Sequence, residues 1–256
     1  MIISTKNERI KDVIQLMSSA KARKEQGLYV VEGLKMFKEA PAIFTRQVFL
    51  TENIYEKLME EEEYYKFFHF EIVSEEVFNK MSDTKTPQGI MCVMEKEVFS
   101  LSDLLAEKKD DLHILVLEGV QDPGNLGTMI RTAEGAGIDF ILADKKTADL
   151  YNPKVIRSTM GSIFRVPFVY SENLMADIKL LKDSGVSIYA AHLKGDNNYK
   201  DEKFAKRSAV LIGNEGNGLS DEITEQADKL LKIPMKGEVE SLNAAIAAAL
   251  LMYAMA

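Results

Sequence analysis

Ile233-Pro-Met-Lys-Gly-Glu-Val-Glu-Ser-Leu-Asn243 is followed directly by Ala244-Ala-Ile-Ala-Ala-Ala-Leu-Leu-Met-Tyr-Ala-Met-Ala256. A segment this rich in Ala, Leu and Met forms helix strongly. Because it is apolar on every side, we expect it to be buried against its own domain or a second subunit. It is shorter than the roughly 20 apolar residues that span a membrane. Either Ser241 or Asn243 can cap its first turn with a side-chain oxygen. The stretch predicts a polar loop before a buried helix, which suits a structural helix and a binding site equally well.

Composition indicates a globular protein with one large domain or two smaller ones. The chain has 256 residues, of which 46% are hydrophobic, enough for a sizeable core. The first ten residues contain no apolar run of secretory length, and the single cysteine, Cys92, cannot form an internal disulfide. Both observations favour the cytoplasm. His69, His113 and His192 are scattered and have no cysteine companions, so no metal site is expected.

Charge is distributed unevenly along the chain. The net charge is −8, yet residues 1–50 contain nine Lys or Arg against five Asp or Glu. Such asymmetry is typical of a basic N-terminal face that meets phosphate, although an ordinary solvated helix surface explains it equally well.

Hydrophobic patterning predicts two α/β domains joined by a charged linker. Helices and strands alternate through residues 1–95, including a predicted helix over 6–24, and residues 96–111 carry only a short apolar pattern. Residues 112–256 open with an apolar strand and again alternate strand and helix, which predicts a mostly parallel sheet covered by helices. The strand candidates are 112–117, 140–143, 166–169, 187–191, 209–213 and 230–233. In such sheets ligands bind beyond the carboxyl ends of the strands.

The loop after the first strand of the second domain is Glu118-Gly-Val-Gln-Asp-Pro-Gly-Asn-Leu-Gly-Thr-Met-Ile-Arg131. Asp122-Pro-Gly124 predicts a turn, and Asn125 is a good N-cap for the helix that follows. Arg131 lies inside that helix. A guanidinium near a helix N-terminus makes a phosphate site plausible, and the alternative is a surface arginine.

A second candidate loop is Ala209-Val-Leu-Ile-Gly-Asn-Glu-Gly-Asn-Gly-Leu-Ser220, a strand that runs into a glycine-rich turn. Neither loop has the glycine spacing of a dinucleotide site or a phosphate loop. Glu215 would repel phosphate but suits a hydroxyl, an amine or a cation. A tight strand-to-helix connection remains an equal alternative.

Together the three stretches resemble the SpoU (TrmH-like) family of RNA ribose 2′-O-methyltransferases in the SPOUT class. Asn125-x-Gly-x-x-x-Arg131, Gly213-Asn-Glu-Gly-x-Gly-Leu219 and the loop before Asn243 resemble the family's three motifs in order. Residues 21–33 are similar to the start of the family's substrate-binding domain, which has a ribosomal-protein-like α/β fold. The resemblance implies a C-terminal trefoil knot and a homodimer.

The resemblance also implies the chemistry and its residues. S-adenosylmethionine is expected to contact the second and third loops, and methyl transfer is expected at a ribose 2′-hydroxyl of structured RNA, with ribosomal RNA favoured over tRNA. The expected catalytic residues are Arg131, Asn125, Glu215, Ser241 and Asn243; the cofactor residues are Gly213, Ile233, Leu242, Met235 and Leu219; and the RNA contacts are Arg23, Lys24, Lys35 and Lys38. A noncatalytic RNA-binding protein of the same fold is the alternative.

Overall fold

The computed structural model describes residues 1–61, 68–107 and 109–256. In chain order its helices and strands are α1 Glu8–Ser18, α2 Ala20–Gln26, β1 Leu28–Glu32, α3 Leu34–Glu39, β2 Thr45–Leu50, α4 Glu52–Glu61, β3 Phe70–Ile72, α5 Glu75–Met81, β4 Ile90–Glu95, α6 Leu101–Ala106, β5 Leu112–Leu117, α7 Pro123–Gly135, β6 Phe140–Asp144, α8 Pro153–Thr159, β7 Phe168–Ser171, α9 Leu174–Asp183, β8 Ser187–Ala191, β9 Asn197–Asn198, β10 Arg207–Ile212, α10 Asp221–Thr224, β11 Lys229–Lys232 and α11 Ala244–Met255. Short 3-10 helices lie at Ala42–Phe44 and Ser162–Phe164. The sequence also predicts a helix that includes the acidic run 60–63, and residues 62 and 63 of that run lie outside the described ranges.

The chain forms two compact units, of which unit 1 comprises Met1–Glu97 and Tyr151–Phe164. Its mixed sheet has the strand order β1-β4-β2-β3, in which β4 is antiparallel to both of its neighbours and β2 is parallel to β3. Successive side chains of a strand point to opposite faces. Accordingly Val31 and Cys92 pack in one apolar layer, whereas Val30 and Met91 pack in another with α1 and α5.

The predicted helix over 6–24 is two helices, because the backbone at Ser19 is extended (φ −123°, ψ 113°). The Ser19 hydroxyl accepts from the Ala22 amide and so caps α2. Arg23, on α2, is only 3% exposed and donates through Nη1 to the carbonyl of Leu16 at 2.6 Å, near the end of α1. This arginine therefore satisfies orphan carbonyl groups at a helix end.

Packing divides the chain differently from the predicted domain boundaries in two places. Residues 151–164 pack with unit 1, where Ile156 (1% exposed) joins the apolar layer and Tyr151 lies 4.6 Å from the ring of Tyr29. The segment predicted as a linker, 96–111, contains α6, and Leu101 of α6 belongs to the core of unit 2.

Unit 2 comprises Val98–Leu150 and Arg165–Ala256. Its sheet has the order β7-β6-β5-β10-β8-β11-β9, and every pairing is parallel. The expected mostly parallel α/β architecture is confirmed. The predicted strand 166–169 was misplaced by two residues, since β7 begins at Phe168. In this order β10 lies between β5 and β8. Because the strands are parallel, the loops after β5, β8, β10 and β11 all leave the sheet at the edge formed by the carboxyl ends of the strands.

The structure identifies the N-cap residues of α7 and α11. Asp122 caps α7, because its Oδ1 accepts from the Asn125 amide at 2.8 Å; the prediction that Asn125 is the cap was wrong. Asn125 instead lies in the first turn, where its side chain is available for other contacts. At α11 the cap is Asn243, which accepts from the amides of Ala245 and Ile246, and Ser241 is not the cap.

Helix α11 packs on α7 and β10 through one face. Ala248, Leu251 and Met252 are fully buried, but Ile246 is 50% and Tyr253 61% exposed. The sequence predicted that this helix is buried on all sides. Within this chain only one face of α11 is buried. In the part of the chain that is described, no helix is long and apolar enough to cross a membrane.

Candidate active site

The polar loops of unit 2 surround a cavity of about 320 Å³ at the carboxyl edge of the sheet. All five residues expected to hold the cofactor line it: Gly213, Leu219, Ile233, Met235 and Leu242. Glu215 and Ser241 also line it, whereas Asn125, Arg131 and Asn243 are not among the lining residues. The structure thus brings residues of the second and third sequence motifs together around one cavity.

A tight turn shapes the wall of this cavity at residues 213–218. The backbone amides of Asn214 and Gly218 donate to each other's carbonyl groups at 3.0 and 2.9 Å. Gly218 has φ +72°, and a Cβ on Gly213 would lie 2.1 Å from the carbonyl carbon of Gly218. A side chain at position 213 therefore cannot be accommodated without moving the backbone.

The role of Asn214 was not predicted from the sequence. Its Oδ1 accepts from the amides of Gly216 and Asn217 at 2.9 and 3.1 Å, and its Nδ2 donates to the carbonyl of Gly119 at 2.8 Å. The side chain therefore holds the turn and ties it to the loop after β5. An asparagine within a glycine-rich turn was the available signal, since Asn commonly bonds to nearby backbone groups.

Glu215 joins the second motif to the first. Its carboxylate accepts from the amides of Gln121 (3.1 Å) and Asp122 (3.0 Å) and from Nδ2 of Asn125 (3.1 Å). Partial burial acts to raise the pKa of Glu215, but the Asn125 and backbone hydrogen bonds outweigh it and hold the pKa below its ordinary value. The residue is consequently an anion at neutral pH.

Asn125 and Asn243 extend this network to the third motif. Because Oδ1 of Asn243 faces the amides of α11, its Nδ2 faces away and donates to Oδ1 of Asn125 at 2.9 Å. Asn125 must then turn its own Nδ2 toward Glu215. The direction of every hydrogen bond is fixed by the helix end, and we call Glu215, Asn125 and Asn243 the motif bridge.

A second link that the sequence did not reveal lies beside the motif bridge. Glu118, the first residue after β5, accepts from the amide of Ser220 at 2.8 Å and from its hydroxyl at 2.7 Å. Ser220 also caps α10 by accepting from the Ile223 amide. The loops after β5 and β10 are thus joined at both ends.

Arg131 is placed apart from the cavity lining. It lies six residues beyond Asn125 on α7 and is exposed, and among the described residues no hydrogen bond or ion pair holds its guanidinium. The exposed positions around it on α7 include Thr128 and Gly135. An unpaired guanidinium can bind a phosphate through two parallel hydrogen bonds.

The cavity also has a wall that was not assigned from the sequence. His192 and Lys194, in the loop after β8, line it, and Nδ1 of His192 accepts from the amide of Lys194 at 3.2 Å. From the sequence, this histidine was considered only as a metal ligand. Across the described ranges, no cluster of three or more His, Cys, Asp or Glu could hold a metal ion.

The expected RNA contacts of unit 1 divide into two groups. Lys24, Lys35 and Lys38 are exposed, and Lys35 lies 3.6 Å from Glu39. Arg23 is buried and bonded to α1, so the expectation that it contacts RNA is corrected. The sequence could not show this, because an arginine close to two lysines has the composition of a solvated basic surface.

Comparisons with known proteins identify the class of this fold and site. Residues 112–253 match the SpoU rRNA methylase family, and residues 7–92 match the MRM3-like substrate-binding domain. The chain belongs to the SpoU rRNA methylase family.

Individual relatives extend over nearly the whole chain. It is 35% identical to the 23S rRNA (guanosine(2553)-2′-O)-methyltransferase RlmP of Bacillus subtilis, across 98% of this chain and 97% of that protein. The crystal structure of an AdoMet-bound rRNA methyltransferase from Sinorhizobium meliloti is similar with a TM-score of 0.88 and 29% identity, covering 99% of this chain and 96% of that one. A crystal structure of an RNA 2′-O ribose methyltransferase has a TM-score of 0.80 and 28% identity, covering 99% and 97%.

Proposed function

We propose that this protein transfers a methyl group from S-adenosylmethionine to a ribose 2′-hydroxyl of 23S ribosomal RNA. The observation that carries the proposal is the motif bridge, which joins three separate loops beside the cavity through hydrogen bonds of defined direction. The B. subtilis relative is named for the same reaction.

The residues present suit this cofactor. The cavity of about 320 Å³ lies within the range of roughly 300–1,000 Å³ usual for small-molecule sites. Ile233, Leu242 and Leu219 offer apolar contacts for a flat base, and the turn at Gly213 exposes backbone groups that can hydrogen-bond to it. Glu215 is an anion at the same cavity, which favours a ligand with positive charge. When bound, S-adenosylmethionine supplies an electrophilic methyl group on a sulfonium.

Alignment of the reactants is the main task of the protein in such a displacement. The motif bridge holds the cavity wall, the start of α7 and the start of α11 in one arrangement, so that a ribose placed beside Asn125 meets fixed donors and acceptors. Ser241 adds a hydroxyl at the cavity. Excluding water from this edge strengthens each of these interactions.

Arg131 acts as a clamp in this proposal. Because arginine stays charged, it is better suited to bind an RNA phosphate and polarise the neighbouring 2′-hydroxyl than to accept its proton as a free base. S-adenosylmethionine held by the second and third loops would supply the methyl group and leave as the neutral thioether, and the hydroxyl proton would pass to solvent water.

A test of this role is Arg131→Ala. We expect methyl transfer to be abolished, while S-adenosylmethionine affinity in calorimetry stays within about twofold and the melting temperature is unchanged, since no interaction within the described chain is lost. Arg131→Lys, which keeps the charge but not the planar fork, should recover only a small part of the rate. Wild-type turnover by Arg131→Ala would refute the role.

The RNA target is tested by offering unmodified 23S rRNA and tRNA transcripts with radiolabelled S-adenosylmethionine. We expect labelling of 23S rRNA, and the position to examine first is the guanosine 2553 named for the relative. Labelling of tRNA alone would move the assignment to tRNA. Absence of both cofactor binding and labelling would favour a noncatalytic RNA-binding protein.

The proposal also covers the oligomeric state, the roles of the two units, the topology of unit 2 and the location of the protein. Ile246 and Tyr253 of the apolar helix α11 are exposed within one chain, and a second subunit could cover them, which supports a homodimer through unit 2. Light scattering would then report a particle of twice 28.7 kDa. Unit 1 is proposed to bind the RNA and unit 2 to carry the catalytic site. Along the sequence these roles fall mainly to residues 1–95 and 112–256, except that residues 151–164 pack in unit 1 and α6 of the segment 96–111 packs in unit 2. A trefoil knot in unit 2 and a cytoplasmic location are expected of the same assignment.

A further inference from the structure

The loop between α5 and β4, residues 82–88, is held by a buried carboxylate. Glu32, at the end of β1, is only 8% exposed. Its two oxygens accept from the hydroxyl of Ser82 at 3.0 and 2.8 Å, and Oε1 accepts from the hydroxyl of Thr84 at 3.2 Å. A carboxylate loses much solvation when it is buried, and hydrogen bonds must offset that loss. Here those hydrogen bonds come from the 82–88 loop.

The other end of the loop is fixed to the same turn. Oε1 of Gln88 accepts from the amide of Leu34 at 3.3 Å. Gly33 between Glu32 and Leu34 has φ +111°, and a Cβ there would lie 2.8 Å from Oε1 of Gln88. The turn at Gly33 and the 82–88 loop therefore fit each other closely. Asp83 of the loop also forms an ion pair with Arg157, which belongs to unit 1 as well.

The middle of the loop is directed to solvent. Lys85 and Thr86 are exposed, and within the described residues no hydrogen bond or ion pair holds the ammonium of Lys85. A cation on a fixed loop loses less conformational freedom on binding than one on a mobile chain. Lysines that contact phosphate set the register and orientation of a nucleic acid without reading its sequence.

We propose that Lys85, held in place by Glu32 through the 82–88 loop, contacts a phosphate of the RNA substrate. This inference rests on the proposed function, because RNA is the ligand that function supplies. Lys35 follows Leu34 directly in the chain and is exposed, so a second cation lies next to the fixed turn, 3.6 Å from Glu39. Glu32 is a positioning residue here and does not itself touch RNA.

The experiment measures binding of the full-length protein to an unmodified 23S rRNA transcript at several salt concentrations. For Lys85→Ala we expect the dissociation constant to rise about fivefold, and the slope of log affinity against log salt to fall in magnitude by about 0.7 to 0.9, the value of one lost phosphate contact. S-adenosylmethionine affinity and melting temperature should not change. Lys80→Ala, at an exposed position of α5, removes the same charge as a matched control and should leave binding unaltered.

A double-mutant cycle tests the positioning role. Glu32→Gln exchanges one acceptor oxygen for an amide group, which loosens the loop, and we expect it to weaken RNA binding in wild type but to add less than about twofold to Lys85→Ala. Independent, multiplying effects would overturn the link to Glu32, and a salt slope unchanged in Lys85→Ala would overturn the phosphate contact. Cofactor binding and methyl transfer, measured separately, report on the proposed function itself.

Discussion

Replacing Asn125 by aspartate exchanges one atom of the motif bridge, the donor Nδ2, for an oxygen. The attraction between residue 125 and Glu215 then becomes a repulsion. The new Oδ2 takes the place of Nδ2, which donates to Glu215 at 3.1 Å, so two carboxylates would face each other there. The contact with Nδ2 of Asn243 is kept, because the substituted side chain still offers an acceptor oxygen. The perturbation is therefore confined to the link between the first and second motifs.

Its magnitude follows from two contributions. Loss of a hydrogen bond to a charged group costs about 1.5 kcal/mol. Repulsion between two unit charges at this separation is about 2 kcal/mol with an effective dielectric constant of roughly 60, suited to a pair in contact with solvent. Together we expect unit 2 to lose about 3.5 kcal/mol, equivalent to a fall of roughly 7 to 14 °C in melting temperature for a domain of this size.

The assay is thermal unfolding of Asn125→Asp, Asn125→Ala and wild type between pH 5 and 8, with methyl transfer followed in parallel. Repulsion raises the folded-state pKa of the carboxylate pair, so its destabilisation is present above that pKa and is relieved as pH falls through it. Asn125→Ala lacks the repulsion and should keep a constant deficit. In wild type the lowered pKa of Glu215 gives stability that is present above its ordinary value of 4.5 and lost as pH falls through the folded value. Equal pH profiles for the two variants would refute the geometry of the bridge.

Three other substitutions follow from single contacts. Gly213→Ala should weaken S-adenosylmethionine binding in calorimetry more than about tenfold, because its Cβ would meet the backbone of Gly218. The control variant Gly237→Ala, whose Cβ would lie in open space, should bind normally. Ser208→Ala should be neutral or stabilising by about 1 kcal/mol in thermal unfolding, since the buried hydroxyl has no partner among the described residues; a marked loss of stability would contradict this. Arg23→Met should cost about 2 to 3 kcal/mol, because two helix carbonyl groups lose their donor, yet RNA affinity measured by filter binding should not fall.

Local sequence patterns predicted much of the fold. The strand at 187–191 occurs at its predicted bounds, and the apolar run at 112–117 is a central strand, because continuous apolar segments suit the buried strands of a parallel sheet. The break at Ser19 was not predicted because the helical pattern continues across it. In the structure the Ser19 hydroxyl caps α2, and Arg23 donates to a carbonyl near the end of α1.

The site was predictable to the extent that its three motifs resemble those of a known family. That resemblance implied Gly213 and Leu242 as cofactor residues, and both line the cavity. Asn214 and Glu118 were not, because their partners lie 95 and 102 residues away and no spacing rule connects them. The order of strands brings those partners together, and strand order is not encoded in any one segment.

The return of residues 151–164 to unit 1 bears on how the protein can be divided. The chain passes between the units after residues 97, 150 and 164, so a single cut does not release two complete units. A fragment that begins at Val98 would take Ile156 away from the apolar layer in which it is buried, and the remaining N-terminal piece would lack that side chain. Either half expressed alone is thus expected to lack part of its unit or to carry part of the other one. Division of the gene near codon 97 would therefore not produce an isolated catalytic domain.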